Sequence, residues 1–557
     1  MKKFSKILSV ALLVALVLSL GVANAFADDA AQTGLKISIA SEVTGHTYKA
    51  YEIFQGDIDT NDASSGKKLS NIEWGTGVNS DGIITDLYKI TAVKTAMENK
   101  VAEINAGKAE GAEDITFNDL TAAQVAECLS GLTSADDLRA MAKAFADNKG
   151  DAVGKDSTAV SGGYEITGLN SGYYVVVDTS STATSNDAYS ALIVNLVGNT
   201  SVQAKVAKPT VDKDVQDEAA DKDKNSTDPN GWGKTADHAI NETFAFRLTA
   251  NLPADTDFDA YDTYKVVFTD TMSAGVAYEN IVSVTVDGIT VSGYTLSSNV
   301  AGAKTPVGGA GEETTWSLTI NDIKTIDGVD LNDGADVVVV YNAHLTEKAF
   351  VTPIGGTTTT NENKVKLTYS NNPTTGGTGD TTEKKVYVFT FEVDNTKYKN
   401  AVAEENVLAG AEFTLYKEDG TTVVPLIYDS TISAYRPTKA AETATAMVSS
   451  NETGKVGTFN IKGLDAGKYV LKETKTPDGF NTCDPINITV SAVHEIDTNG
   501  TPKVTLTNTN DNNAIINKSG TVLPSTGGIG TTIFYVVGGV LVLAAIILLV
   551  TKKRMSE

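Results

Sequence analysis

Apolar and polar residues alternate along the chain in distinct rhythms, and each rhythm predicts a different element. Met1 to Lys6 carry three lysines, Ile7 to Val22 are almost wholly apolar, and small residues follow at Ala23, Ala25 and Ala27. That order of basic flank, apolar run and small-x-small exit predicts a secretory signal peptide over 1–27, with the mature chain starting near Phe26 or Asp28. At the other end, an apolar run over 529–551 can cross a hydrocarbon layer, and Lys552, Lys553 and Arg554 follow it. It predicts one membrane-spanning helix with its basic end inside the cell.

Between the ends the rhythm changes twice. Residues 28–207 mix both periods: Leu35 to Ile39 and Tyr173 to Asp178 read as strands, whereas Leu87 to Ile104 and Leu120 to Phe145 repeat apolar residues at helical spacing, with Thr116 and Asn118 as candidate caps. This predicts an α+β domain. Residues 208–383 give strand signals alone, at Phe244 to Leu248, Tyr264 to Phe268, Ile281 to Val286, Trp316 to Ile320, Val337 to Tyr341 and Val365 to Tyr369. A β-sandwich is the packing solution for such a series. The low-complexity stretch Pro373 to Gly379 marks a break, and residues 384–522 begin a second run of strands, from Val386 to Val393 through Ile486 to Val490. The expected fold is mainly β, with tandem sandwiches behind an α+β amino-terminal domain. Gly172-Tyr-Tyr-Val-Val and Gly467-Lys-Tyr-Val-Leu each follow a Gly-Leu pair, Gly168-Leu169 and Gly463-Leu464, an echo that suggests related strand pairs in the first and third domains.

Composition narrows the function. The 557 residues carry 45 Lys and Arg against 70 Asp and Glu, a net charge of −25. Such a surface repels phosphate backbones, so nucleic acid is excluded as the main partner. The two cysteines, Cys128 and Cys483, share no ligand spacing and read as small buried hydrophobes. His46, His238, His344 and His494 stand apart from any nucleophile motif, so no hydrolytic triad is expected. In the acidic run Asp212 to Asp228, Ser226 stands where a calcium loop needs glycine and Trp232 where it needs glutamate, so the run reads as a solvated charged loop. No metal and no cofactor are expected.

Immediately before the apolar run stands Leu523-Pro524-Ser525-Thr526-Gly527, an L-P-x-T-G string. Placed ahead of a span and a basic tail, it resembles the sorting signal of sortase-processed surface proteins of Gram-positive bacteria. The resemblance implies that a membrane-bound transpeptidase attacks the Thr526 carbonyl and releases Gly527 onward.

Strand alternation raises a separate question. In Tyr469-Val-Leu-Lys-Glu473 the side chains at 469, 471 and 473 share a face, so if Leu471 points into the core, Glu473 does too. A buried carboxyl needs a partner. Tyr469-Val-Leu-Lys-Glu-Thr-Lys-Thr-Pro-Asp-Gly-Phe480 resembles the E-box of Gram-positive pilins, with Phe480 in place of the final tyrosine. Together with Leu408 to Tyr416 it is similar to the B-type domain of collagen adhesins, so the whole chain resembles a major, or backbone, pilin with immunoglobulin-like sandwiches of the collagen-adhesin type.

The resemblance implies an internal Lys–Asn isopeptide bond promoted by a buried acid. In the third domain it points to Lys397 as amine, Glu473 as acid and Asn517 as acceptor, with Asn508 as the alternate acceptor. In the middle domain it points to Lys213 as amine, Asp270 as acid and Asn363 as acceptor; Val266, Phe268 and Asp270 share a face, although Asp270 could instead cap a turn. Each bond would join a domain's first and last strands.

Polymerisation requires a lysine to receive Thr526. The pilin motif W-x-x-x-V-x-V-Y-P-K is absent, and at the matching place Ser201 to Pro209 offers Lys205, with Lys208 as alternate. The expected function is thus a structural backbone subunit of a covalent cell-surface pilus, anchored to the cell wall and not an enzyme beyond its own cross-linking. Its expected partners are pilin-specific and housekeeping sortases, identical subunits in a head-to-tail fibre, minor pilins, peptidoglycan and a host surface ligand. The alternative is a monomeric sortase-anchored adhesin that binds host protein or glycan.

Overall fold

The computed structural model describes residues 33–41, 45–59, 68–180, 191–203, 208–220, 222–254, 258, 261–299, 312–353, 357–372, 376–507, 513–520 and 529–554. The chain is mainly β and forms two compact units. The first runs to Phe391 and also takes in Gly463–Ala466 and Ala492–Thr507; the second holds Glu392–Lys462, Gly467–Ser491 and the residues from Asn508 onward.

The amino-terminal part of the first unit is α+β. One sheet orders Thr158–Val160, Gly163–Leu169, Leu35–Ala40 and Thr200–Gln203; the other orders Lys68–Trp74, Tyr48–Asp59, Gly172–Asp178 and Ala191–Leu196. The strand Gly172–Asp178 is buried along its whole length. Tyr173, Val175 and Val177 pack under the helices, while Tyr174 and Val176 pack against the other sheet. The unbroken apolar run Tyr-Tyr-Val-Val-Val is what a strand covered on both faces requires.

Helices occupy Ser80–Leu87, Thr91–Ala106, Ala122–Leu129 and Ala135–Asp147. The helical spacing over Leu120 to Phe145 is carried by two helices. Ser134 starts a new helix by accepting the Asp137 N–H at 3.4 Å, and its local capping chemistry overrides a continuous apolar period. The helix Ala122–Leu129 starts at a reciprocal box in which Thr121 accepts the Gln124 N–H and Gln124 accepts the Thr121 N–H. Thr116 caps the short turn Phe117–Asp119 instead.

The rest of the first unit is a sandwich. One sheet orders Trp232–Gly233, Thr210–Gln216, Thr243–Leu252, Ala335–Leu345, Val276–Val286 and Ile289–Thr290; the facing sheet orders Thr235–Asp237, Lys384–Phe389, Asn361–Ser370, Val266–Met272, Thr314–Ile320 and Thr295–Ser298. Strict alternation of buried and half-exposed residues along Val266–Met272 and Asn361–Ser370 supplies the core, with Phe246, Phe268, Trp316 and Tyr341 at its centre.

Two expectations change here. The boundary at 383/384 falls inside this sandwich, because Lys384–Phe389 pairs antiparallel with Asn361–Val365 and parallel with Thr235–Asp237. The glycine-rich break leads only into a short return strand, Thr378–Asp380, which pairs with Thr368–Ser370. Consequently the strand that carries Asn363 is not the last of its sandwich. Alternation reveals a strand's buried face but not the sheet it joins.

In the second unit Asn395–Lys399 pairs parallel with Asn513–Asn517. Glu412–Lys417 pairs with Gly467–Lys475, whose residues up to Leu471 pair in turn with Ile486 to Val490. The carboxy-terminal helix Ile529–Arg554 contains a 21-residue stretch, Ile533–Lys553, with an 18-residue window of mean hydropathy 3.0, long and apolar enough to cross a membrane.

Candidate cross-linking sites

In the second unit the paired strands Asn395–Lys399 and Asn513–Asn517 bring an amine and an amide side by side. Lys397 and Asn517 are fully buried, and Lys397 Nζ donates to Asn517 Oδ1 at 2.5 Å. The Glu473 side chain, also shielded from solvent, arrives from the strand Gly467–Lys475. Its Oε1 accepts the Asn517 Nδ2 proton at 2.8 Å and lies 3.4 Å from Lys397 Nζ. Its Oε2 is held by the Cys483 N–H at 2.8 Å. The Phe413 ring lies 5.1 Å below the amine. One carboxyl oxygen therefore touches both the amine and the amide nitrogen of the facing asparagine.

In the middle sandwich the corresponding groups face one another across the two sheets. Lys213 comes from Thr210–Gln216 in one sheet; Asp270 and Asn363 come from adjacent strands of the other. All three are fully buried. Lys213 Nζ donates to Asp270 Oδ2. The hydroxyl of Tyr341 joins the set: it accepts from Lys213 Nζ at 3.2 Å and from Asn363 Nδ2 at 2.7 Å, and donates to Asp270 Oδ1 at 3.1 Å. Burial pushes the Lys213 amine down to about 8, against the pull of the Asp270 charge. Burial likewise raises the Asp270 carboxyl, against the opposing effect of Lys213. Both shifts favour the uncharged forms.

Lys205, Asn508 and the string Leu523, Pro524, Ser525, Thr526 and Gly527 lie outside the described residues, as does the signal peptide. Lys208 is exposed.

Alternation gives no sign of a role for Tyr341, and Cys483 departs from the buried hydrophobe expected. Tyr341 ends an apolar run and reads as ordinary core. Cys483 is only half-buried, with Sγ 3.6 Å from Lys397 Nζ, so it borders a polar site and is not a plain core residue. The solvated-loop reading of Asp212 to Asp228 also needs correction. Asp217 and Asp223 are buried, because they accept backbone N–H groups of Asp237 and of Lys234 and Thr235. Charge density along a sequence does not reveal such distant donors.

Residues 394–510 match the family described as SpaA, prealbumin-like fold domain, and residues 515–557 match the LPXTG cell wall anchor motif. The trypsin-resistant surface T6 protein of Streptococcus pyogenes serotype M6 is 26% identical over 292 residues, which is 51% of this chain and 46% of that relative. The chain thus spans under half of that relative's length. Among solved structures, the T6 backbone pilin of serotype M6 Streptococcus pyogenes is 16% identical with a TM-score of 0.47, over 89% of this chain and 100% of that one. The full-length major pilin SpaD of Corynebacterium diphtheriae is 14% identical with a TM-score of 0.40, over 88% and 98%.

An apolar helix behind an LPXTG anchor motif defines a cell-wall-anchored surface protein. With its prealbumin-like domain and its likeness to the T6 protein, the chain resembles the sortase-assembled pilins of Gram-positive bacteria.

Proposed function

We propose that the chain is the repeating backbone subunit of a covalently polymerised surface pilus, and that each of its two sandwiches closes itself with a Lys–Asn amide. The observation that carries this reading is the placement of Glu473 Oε1 against both Lys397 Nζ and Asn517 Nδ2 inside a solvent-free pocket.

Chemistry follows from that placement. The Lys397 amine attacks Cγ of Asn517, a proton leaves Nζ, and the amide nitrogen departs as ammonia once it has gained that proton. Glu473 Oε1 adjoins the donor and the leaving group alike, so it shuttles the proton between them. The carboxyl's contact is with the leaving nitrogen, whereas polarisation of the carbonyl would require it at Oδ1. In the middle sandwich Asp270 and the Tyr341 hydroxyl divide the same task between Lys213 and Asn363. Atoms balance as amine plus amide giving a secondary amide plus ammonia, with no outside reagent.

Polymerisation would use the anchor motif. A sortase thiol attacks the Thr526 carbonyl and releases the amine of Gly527; the ε-amine of Lys205, or of Lys208, on the next subunit then displaces the thiol. The last subunit would pass to peptidoglycan by the same chemistry through the housekeeping enzyme.

Tandem mass spectrometry of tryptic fragments from the full chain tests the cross-links. The expected result is a Lys397–Asn517 and a Lys213–Asn363 junction, each lacking one ammonia. Separate peptides of full mass would overturn the bonds.

A further inference from the structure

Outside the two lysine sites, the first unit buries a second polar centre. Asp217, Asp237 and His494 have essentially no exposed side-chain surface. His494 Nε2 lies 3.1 Å from Asp217 Oδ2 and 3.2 Å from Asp237 Oδ2. Despite these distances, neither Nε2 nor Asp237 Oδ2 has a hydrogen-bond partner of acceptable geometry. Ligand atoms that converge on one point without bonding to each other leave a place for something between them.

The surroundings hold each group from behind. His494 Nδ1 is 2.8 Å from Thr235 Oγ1, so when Nδ1–H donates there the Nε2 lone pair faces the carboxylates. Asp217 Oδ1 accepts the Glu218 N–H at 2.8 Å, and Asp237 Oδ1 accepts the Ala466 N–H at 2.8 Å. The Ala466 donor is itself fixed, because the neighbouring Gly463 has φ +87 and a Cβ there would fall 2.4 Å from Ile240 Cδ1.

Charge completes the case. Among the described residues, Asp217 and Asp237 have no Lys or Arg ion-pair partner, and buried Asp465 adjoins Asp237. With both carboxylates ionised and the imidazole neutral the cluster carries two negative charges, which one divalent cation offsets. Two carboxylate oxygens and one imidazole nitrogen form a three-donor set suited to a zinc-type ion.

We propose that Asp217, Asp237 and His494 bind a divalent zinc-type cation that clips the segment around His494 onto the middle sandwich of the first unit. The site is independent of the lysine cross-links.

The test is metal content and calorimetry on the full chain in detergent, stripped with EDTA and titrated with Zn2+ alone. One equivalent should bind per chain and raise the melting temperature. Co2+ in its place should give d–d bands with no thiolate charge-transfer band, which separates this site from either cysteine. Asp237→Asn and His494→Gln should abolish the binding. Failure of the stripped wild-type chain to take up Zn2+ would overturn the proposal whatever the variants do, and so would undiminished uptake by folded Asp237→Asn or a thiolate band with Co2+.

Discussion

Asn517 shows its carbonyl oxygen to an amine and its nitrogen to a carboxyl, and that division makes Glu473 testable without altering shape. Glu473→Gln should leave the third-domain junction unformed, so intact mass rises by one ammonia relative to the linked protein after allowance for the substitution. The loop closed by Lys397 and Asn517 spans 120 positions; by analogy with disulfides its loss should lower stability by roughly 5 kcal/mol, read from denaturant or thermal melts. Tyr341→Phe should slow formation of the middle junction by about 100-fold or more while leaving the other junction intact, as removal of a general acid–base partner does; Asp270→Asn should abolish it.

Lys213 also sets a pH dependence. Its amine is held at about 8, below the ordinary lysine value, and only the free amine attacks. Middle-junction formation should therefore accelerate as pH rises toward 8, followed by mass spectrometry on freshly folded chain. Before linkage, the folded state binds fewer protons at Lys213 than the unfolded chain between about 8 and the ordinary value. Stability from this group thus rises with pH across that window. Alternation along Val266–Met272 made an inward Asp270 legible in the sequence, but nothing local marked Tyr341, because a strand tyrosine carries the same signal whether its hydroxyl meets a lysine or another ring. His494 and Asp217 stayed hidden for a related reason: hundreds of residues separate them, and only the fold supplies their proximity.

At the scale of elements, capping decided what periodicity left open. Helical spacing located the helical region between Leu87 and Phe145, yet the break ahead of Ala135 came from Ser134. The box at Thr121 offers a direct measure of such chemistry: Thr121→Ala should destabilise by about 1 kcal/mol in thermal melts, with the helix register unchanged. Strand positions were largely readable from alternation and turn residues. Sheet membership was not, and Lys384–Phe389 illustrates why: its buried positions at Val386 and Val388 would suit either sandwich, and only pairing with Asn361–Val365 assigns it.

For the whole molecule, the anchor and the acceptor lysine decide between fibre and monomer. Cell-wall extracts boiled in detergent should show a ladder of high-mass species that collapses to monomer with Lys205→Ala. Retention of the ladder in that variant and its loss in Lys208→Ala would move the acceptor three positions along the sequence. Absence of any ladder in the wild type would favour the monomeric adhesin. The carboxy-terminal anchor was readable in sequence because anchoring depends on linear order, which folding does not rearrange.

The parallel pairing of Asn395–Lys399 with Asn513–Asn517 has one more consequence. When a chain is pulled from its two ends, parallel terminal strands are dragged past each other lengthwise, so their hydrogen bonds resist together in shear and do not peel one at a time. With Lys397 and Asn517 joined, tension would cross from Asn395–Lys399 to Asn513–Asn517 through a single amide, and the residues of the second unit between them would be spared the load.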